Sequence, residues 1–243
     1  MQRKKGKKMK IIAGNWKMNG SHEVLTNMVN DLSAIKTENK VILCVPFTML
    51  DVKSNNGVKI GAQDVSGHER GAYTGEVSAA MLAEVGVKYV IVGHSERRMY
   101  HDETNDIVRQ KAQMALKNGI TPIICVGETM EEKQAGKTMD IITAGVRESV
   151  PEDVHDDIII AYEPRWAIGA GITPTTDEIA VAHKVIADTL SYMGLDGTPI
   201  LYGASVNAGN VANIVAIQNV SGVLVGGASL KPGEFIPIIE TVK

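Results

Sequence analysis

An eight-stranded α/β barrel, (β/α)8, is the fold class this sequence predicts, as one catalytic domain over residues 9–243. Three observations predict it. Short β-branched runs without polar alternation recur eight times, as expected of parallel strands buried on both faces. A helical pattern separates each run from the next, with no linker or low-complexity stretch between them. The length, 243 residues, suits eight βα units in one domain. An open doubly wound sheet would usually carry a GxGxxG turn after its first strand, and residues 14–20 do not form one.

The elements follow in order. Residues 10–14 form a first apolar strand, and Ser21 caps a helix to about Ile35 with Val24, Leu25, Met28, Val29 and Leu32 on one face. The second strand, 41–45, ends at Pro46, with a short helix near 48–54. The third is 59–63, followed by a long loop over 64–76 and a helix from Ser78. The fourth is 89–93, with its helix over 104–117; Gly119 stops that helix before the fifth strand at 121–126. A helix within 131–149 bends near Gly136, and the sixth strand is 158–162. A long striped helix covers 177–193, the seventh strand 199–203, a helix 210–217 and the eighth strand 222–225. A last helix follows Pro232.

Composition narrows the setting. Aromatic residues are scarce, and no apolar run is long enough to span a bilayer. The first ten residues lack the apolar segment of a secretory signal. Cys44 and Cys125 each lie in an apolar run without CxxC or Cys/His spacing, which favours buried thiols in a reducing compartment over a disulfide or metal site. A cytoplasmic protein is the expectation. Five of the 25 basic residues fall in residues 1–8, while the net charge is −3. That tail could touch nucleic acid or anionic lipid. It reads instead as a disordered extension, with Met9 as an alternative start, because the body has no basic stripe to continue it.

Function is sought at the C-terminal ends of the strands, where barrels of this class build their sites. Those positions hold Asn15 and Lys17, Gln63, His94, Ser95 and Glu96, Cys125 and Glu128, Glu163, Ser205, and Gly226 with Gly227. Glu163 closes the sixth strand, followed at once by Pro164, which biases it to an extended backbone. The next segment, through Trp166, Ala167, Ile168 and Gly169 to Gly171, is apolar and glycine-ended, unlike a solvated connection. A carboxylate beneath an apolar flap points to a general base in a closable pocket; the plain alternative is a core strand ending in a surface loop. His94 precedes a short helix beginning at Ser95. A helix N-terminus disfavours imidazolium, so a neutral imidazole that can donate to a substrate oxygen is expected. Lys17 is the only cation just beyond the first strand, where a developing oxyanion would benefit, and Glu96 could pair with it. Ser205 and Gly226-Gly227 match the usual barrel phosphate site of backbone N–H groups. Cys125 reads as a packed thiol, and Ser95 is not a nucleophile elbow. The histidines at 22, 68, 101, 155 and 183 read as solvent-facing or packing.

These residues closely resemble the triosephosphate isomerase family. The matching stretches are residues 14–19, 61–63, 71–76, 92–98, 125–128, 161–164, 166–169, 202–203 with 205–207, and 224–230, in the family's order over nearly the whole chain. The resemblance implies that Glu163 moves a proton between adjacent carbons of a triose phosphate. It also implies that His94 shuttles a proton between the oxygens and that Lys17 and Asn15 stabilise an enediolate, with Glu96 supporting Lys17. Gly169, Ser205, Gly226 and Gly227 would hold the phosphate, and residues 164–172 would form a lid. These are the family's familiar roles. No metal or organic cofactor is implied, and no nucleic-acid or membrane partner is expected. Tyr73 and Thr74 look like a loop tip that inserts beside a partner's Asn15 and Lys17, implying a homodimer. Four departures stand beside these positions: Arg165 for a small branched residue, Ala170-Gly171-Ile172 for Thr-Gly-Lys, Ala204 for glycine, and Asp64 for asparagine. The alternatives are another phosphosugar barrel, or a non-catalytic protein that binds a triose phosphate.

Overall fold

A computed structural model describes residues 9–54, 57–152, 154, 157–169 and 172–242. The expected basic tail lies outside the described residues, as do His155, Ala170 and Gly171. Eight parallel strands close on themselves in sequence order, β1 (Ile11–Asn15), β2 (Lys40–Val45), β3 (Val58–Ala62), β4 (Tyr89–Val92), β5 (Thr121–Val126), β6 (Ile159–Tyr162), β7 (Ile200–Tyr202) and β8 (Gly222–Val225). Strand β8 pairs with β1, with Gly14 opposite Val225.

Alternate side chains divide the apolar residues between two layers. Ile11, Ala13, Ile42, Cys44, Ile91, Ile123, Cys125, Ala161, Leu201 and Leu224 fill the barrel. Their neighbours in sequence, such as Ile12, Leu43, Val90, Ile124 and Ile160, pack outward with the helices. Both thiols are free and buried as expected, and burial pushes Cys44 up to about 12.

The helices are α1 (His22–Ser33), α2 (Ala79–Glu84), α3 (Ser95–Tyr100), α4 (Asn105–Lys117), α5 (Met130–Gln134), α6 (Thr138–Ser149), α7 (Thr176–Tyr192), α8 (Val211–Ala216) and α9 (Pro232–Thr241). Most begin where the sequence offers a cap: Ser21, Ser78, Thr104 and Thr175 each accept a backbone N–H from the first turn. Gly136, at φ +71°, separates α5 from α6, as its position predicts.

Several boundaries differ from expectation. Strand β1 runs one residue further, because Asn15 still pairs with Cys44 of β2. The helix expected near 48–54 is only a 3-10 turn, Phe47–Met49, entered from Pro46. Val24 is exposed while Leu25, Met28, Val29 and Leu32 are buried, so the apolar stripe of α1 is narrower than its sequence. Among the described residues no helix is long and apolar enough to cross a membrane.

Candidate active site

The carboxylate of Glu163 sits just past β6 and is 2% exposed. Its backbone N–H donates to the Val126 carbonyl at 2.8 Å. A methyl group on Gly127 would lie 1.8 Å from the Glu163 carbonyl oxygen, so only glycine lets the β5 loop pack this closely. One carboxylate oxygen, Oε2, accepts the Ser95 backbone N–H at 2.9 Å, and the other lies 3.2 Å from His94 Nε2. This hydrogen bond to the first residue of α3 parks the carboxylate at a helix N-terminus.

His94 caps α3. Its Nδ1 accepts the Glu96 N–H at 3.2 Å, which leaves the ring proton of a neutral imidazole on Nε2, facing the cavity. Gly93 before it, at φ +66°, turns the chain from β4 into α3. Arg98 then locks α3 to the barrel by donating to the Gly93 carbonyl at 2.9 Å and the Cys125 carbonyl at 3.0 Å.

Lys17 adopts φ +54°, an uncommon conformation for a side-chain-bearing residue. It is held there by the Asn15 side chain, which accepts the Lys17 N–H at 3.0 Å. Fully buried Trp16 anchors the same turn through Nε1 to the Ser229 carbonyl at 3.0 Å. The strained turn aims the lysine inward, with Nζ 2.5 Å from Glu96 Oε1.

Asn15, Lys17, His94 and Glu163 line a cavity of about 250 Å³ together with Gly169, Ser205, Gly226 and Gly227. Eight residues singled out from strand ends and loops thus converge on one space. Glu96 stands behind Lys17, in an adjoining cavity of about 430 Å³ that it shares with Asn15, Met18, Phe47, Arg97 and Tyr100. Tyr73 and Thr74 are exposed at the tip of their loop and line neither cavity. The Tyr73 ring stacks on His68 with centroids 3.8 Å apart.

The segment after Glu163 is a 3-10 turn, Arg165–Ala167, leading to exposed Gly169 at φ +68°. Glu128, noted only for its place after β5, clamps this turn. Its buried carboxylate accepts Trp166 Nε1 at 2.8 Å and the Tyr162 hydroxyl at 3.2 Å, and its carbonyl accepts the Arg165 N–H at 3.0 Å. Burial pushes the Glu128 carboxyl above the usual range. Arg165 lies in this turn. It is half-buried, and its buried Nε has no hydrogen-bond partner among the described residues.

Asp64 also gains a role that the sequence left open. It lies 3.0 Å from Arg97 and 2.7 Å from Lys111, and Glu103 joins both cations from the other side. Burial pushes Asp64 up, while Lys111 and Arg97 hold Glu103 below the usual carboxylate range against its own burial. The cluster ties the end of β3 to α3 and α4. The other polar strand-end thiol, Cys125, is buried inside the barrel, where desolvation and neighbouring Glu163 push its pKa well up. That environment suits packing, as its sequence context predicts, and not a nucleophile.

Chemically, the cavity offers a buried carboxylate, an imidazole proton and an ammonium. The same lining includes glycine backbones and a serine hydroxyl suited to an anion. Comparison with known proteins agrees with this chemistry. The family model described as Triosephosphate isomerase matches residues 10–242. The triosephosphate isomerase of Paracidovorax citrulli is 45% identical, over 96% of this chain and 98% of that protein. That of Alkaliphilus oremlandii is 43% identical, over 95% of this chain and 98% of that protein. The crystal structure of triosephosphate isomerase from Bartonella henselae superimposes with a TM-score of 0.87 at 37% identity, covering 96% of this chain and 98% of that one.

Proposed function

The chain belongs to the triosephosphate isomerase family, and we propose that it interconverts dihydroxyacetone phosphate and D-glyceraldehyde 3-phosphate with the residues of the 250 Å³ cavity. The observation that supports the assignment of roles is that Glu163, His94 and Lys17 line one cavity together with Gly169, Ser205, Gly226 and Gly227. Glu163 takes the proton from the carbon beside the carbonyl and returns it to the neighbouring carbon. His94 Nε2 donates to the substrate oxygens, and Lys17 and Asn15 stabilise the enediolate that forms between the two transfers. Glu96 holds the Lys17 ammonium in place. The phosphate binds the backbone N–H groups of Gly226 and Gly227, with Ser205 and Gly169 completing the ring. Residues 164–172 close over it, a gating role familiar in this family.

In the conformation described, Glu163 is bonded to Ser95 and Gly169 is exposed. This is the open, waiting state: closure must trade the Ser95 N–H for the substrate carbon. Acid–base chemistry of this kind calls for no metal or organic cofactor, and nothing in the proposal involves nucleic acid or membrane. A coupled assay with each triose phosphate in turn tests the assignment. Turnover in both directions is expected; ligand-induced thermal stabilisation without turnover would instead favour the non-catalytic binder.

A homodimer completes the proposal. At the larger cavity, Met18 is 95% exposed and Tyr100 72%, with Phe47 also uncovered. Such a patch of large apolar side chains fits a second copy. The Tyr73–Thr74 tip supplies a segment of the right shape, stiffened by the His68 stack. Because this cavity shares Asn15, Lys17 and His94 with the catalytic one, docking there would order the site. Thr74→Arg should therefore weaken the dimer and lower activity together, read by light scattering and assay on the same samples. A fully active monomer would break that link. The buried reduced thiols fit a cytoplasmic setting.

A further inference from the structure

We infer that Lys133 is a positioning residue that straps the open lid to the barrel, one ammonium group joining the Trp166 turn at the start of the lid to Glu178 in the helix beyond it. The inference rests on the lid proposed above. Lys133 lies in α5, outside the lid and outside both cavities described above. Its Nζ stands 3.5 Å from the centroid of the Trp166 ring, in the turn that leads into the lid. The same nitrogen is 2.5 Å from Glu178 Oε1. Glu178 is the third residue of α7, the helix that follows the lid. Its other oxygen, Oε2, accepts the Thr175 N–H at 2.8 Å and the Thr175 hydroxyl at 3.0 Å, closing the helix cap. Lys133 is the principal reason the Glu178 carboxyl lies below its usual range.

The anchor is firm. A capping box between Thr129 and Glu132 fixes the start of α5. The indole is then held on its edge by Glu128 and on its face by Lys133. The Lys133 side chain is 29% exposed, so the cation–π contact is partly shielded from water and worth more than one in open solvent. These contacts belong to the conformation in which Glu163 rests on Ser95 and Gly169 is uncovered. Rotation of the turn at 165–167 carries the indole, while the lysine stays with α5. The strap therefore stabilises the open lid. The apparent affinity for a ligand that needs the closed lid is reduced to the fraction of time the lid is closed, and product leaves sooner.

Lys133→Met keeps most of the stem and removes the charge. For glycerol 3-phosphate, a phosphate ester that cannot react, calorimetry should show roughly two- to fivefold tighter binding. KM and kcat should fall together by a similar factor, because the lid opens less readily. Lys133→Arg, which keeps both contacts, should restore the wild-type constants. Adding Glu178→Gln to Lys133→Met should bring no further tightening. Unchanged or weaker binding by Lys133→Met would overturn the strap. The lid is checked separately by acrylamide quenching of tryptophan in the wild-type protein, where fully buried Trp16 leaves Trp166 as the responsive ring. A ligand-dependent change in quenching with no effect of Lys133→Met rejects the strap alone. No change in quenching on saturation rejects the moving lid and the strap with it.

Discussion

Glu163→Gln should lower kcat by about 10²–10⁴-fold, the usual contribution of a positioned general base, while changing ligand affinity far less. Glutamine has nearly the same shape, and its carbonyl oxygen can still accept the Ser95 N–H that now holds Oε2 at 2.9 Å. The close packing of Gly127 and Gly203 on this residue involves its backbone and Cγ, which the substitution preserves. Folding should survive; the lone pair that takes the proton does not. Single-turnover kinetics and the dissociation constant of glycerol 3-phosphate, measured on the same preparation, separate the two effects. A near-normal kcat in the variant would remove Glu163 from the mechanism.

Lys17→Met should cost about 10²–10³-fold in kcat, the scale seen when a group aimed at developing negative charge is deleted. Here the charge is costly to place, because the backbone of Lys17 holds φ +54° and needs Asn15 to keep it there. A turn maintained against its own preference is expected where positioning matters. The variant leaves Glu96 without its cation, but that side chain is 41% exposed and can be hydrated, so stability should change little. Activity lost with the melting temperature intact supports an electrostatic role. Activity lost in step with stability would make Lys17 a structural residue.

The architecture was legible because strands buried on both faces leave a β-branched signature, and because barrel strands end at the site. That is why Asn15, His94, Glu163 and Gly226 could be drawn together from positions far apart in the chain. What the sequence did not disclose lies mainly in contacts between side chains and distant backbone. Nothing local announces that the Ser95 N–H would hold a carboxylate 68 positions away, or that Glu128 would clamp Trp166. Asp64 looked like a departure and became one of four residues in a charge cluster, which its sequence could not show because its partners Arg97 and Lys111 sit on α3 and α4. Arg165 ran the other way. A long charged residue in a loop argues for solvent, yet in the turn bonded to the Glu128 carbonyl its Nε is buried. The helix expected near 48–54 failed for a simpler reason: apolar periodicity over a few residues does not distinguish one turn from several.

The central claim is that Glu163 is the moving base, parked on Ser95 until a phosphate-bearing ligand draws the lid shut. A crystal structure of the protein with a bound enediolate mimic tests this most directly. The account predicts Glu163 released from the Ser95 N–H and in van der Waals contact with the carbon between the two oxygens. It also predicts Gly169 within hydrogen-bond distance of the phosphate. A complex in which the ligand fills the cavity while Glu163 stays bonded to Ser95 beneath an open lid would contradict it.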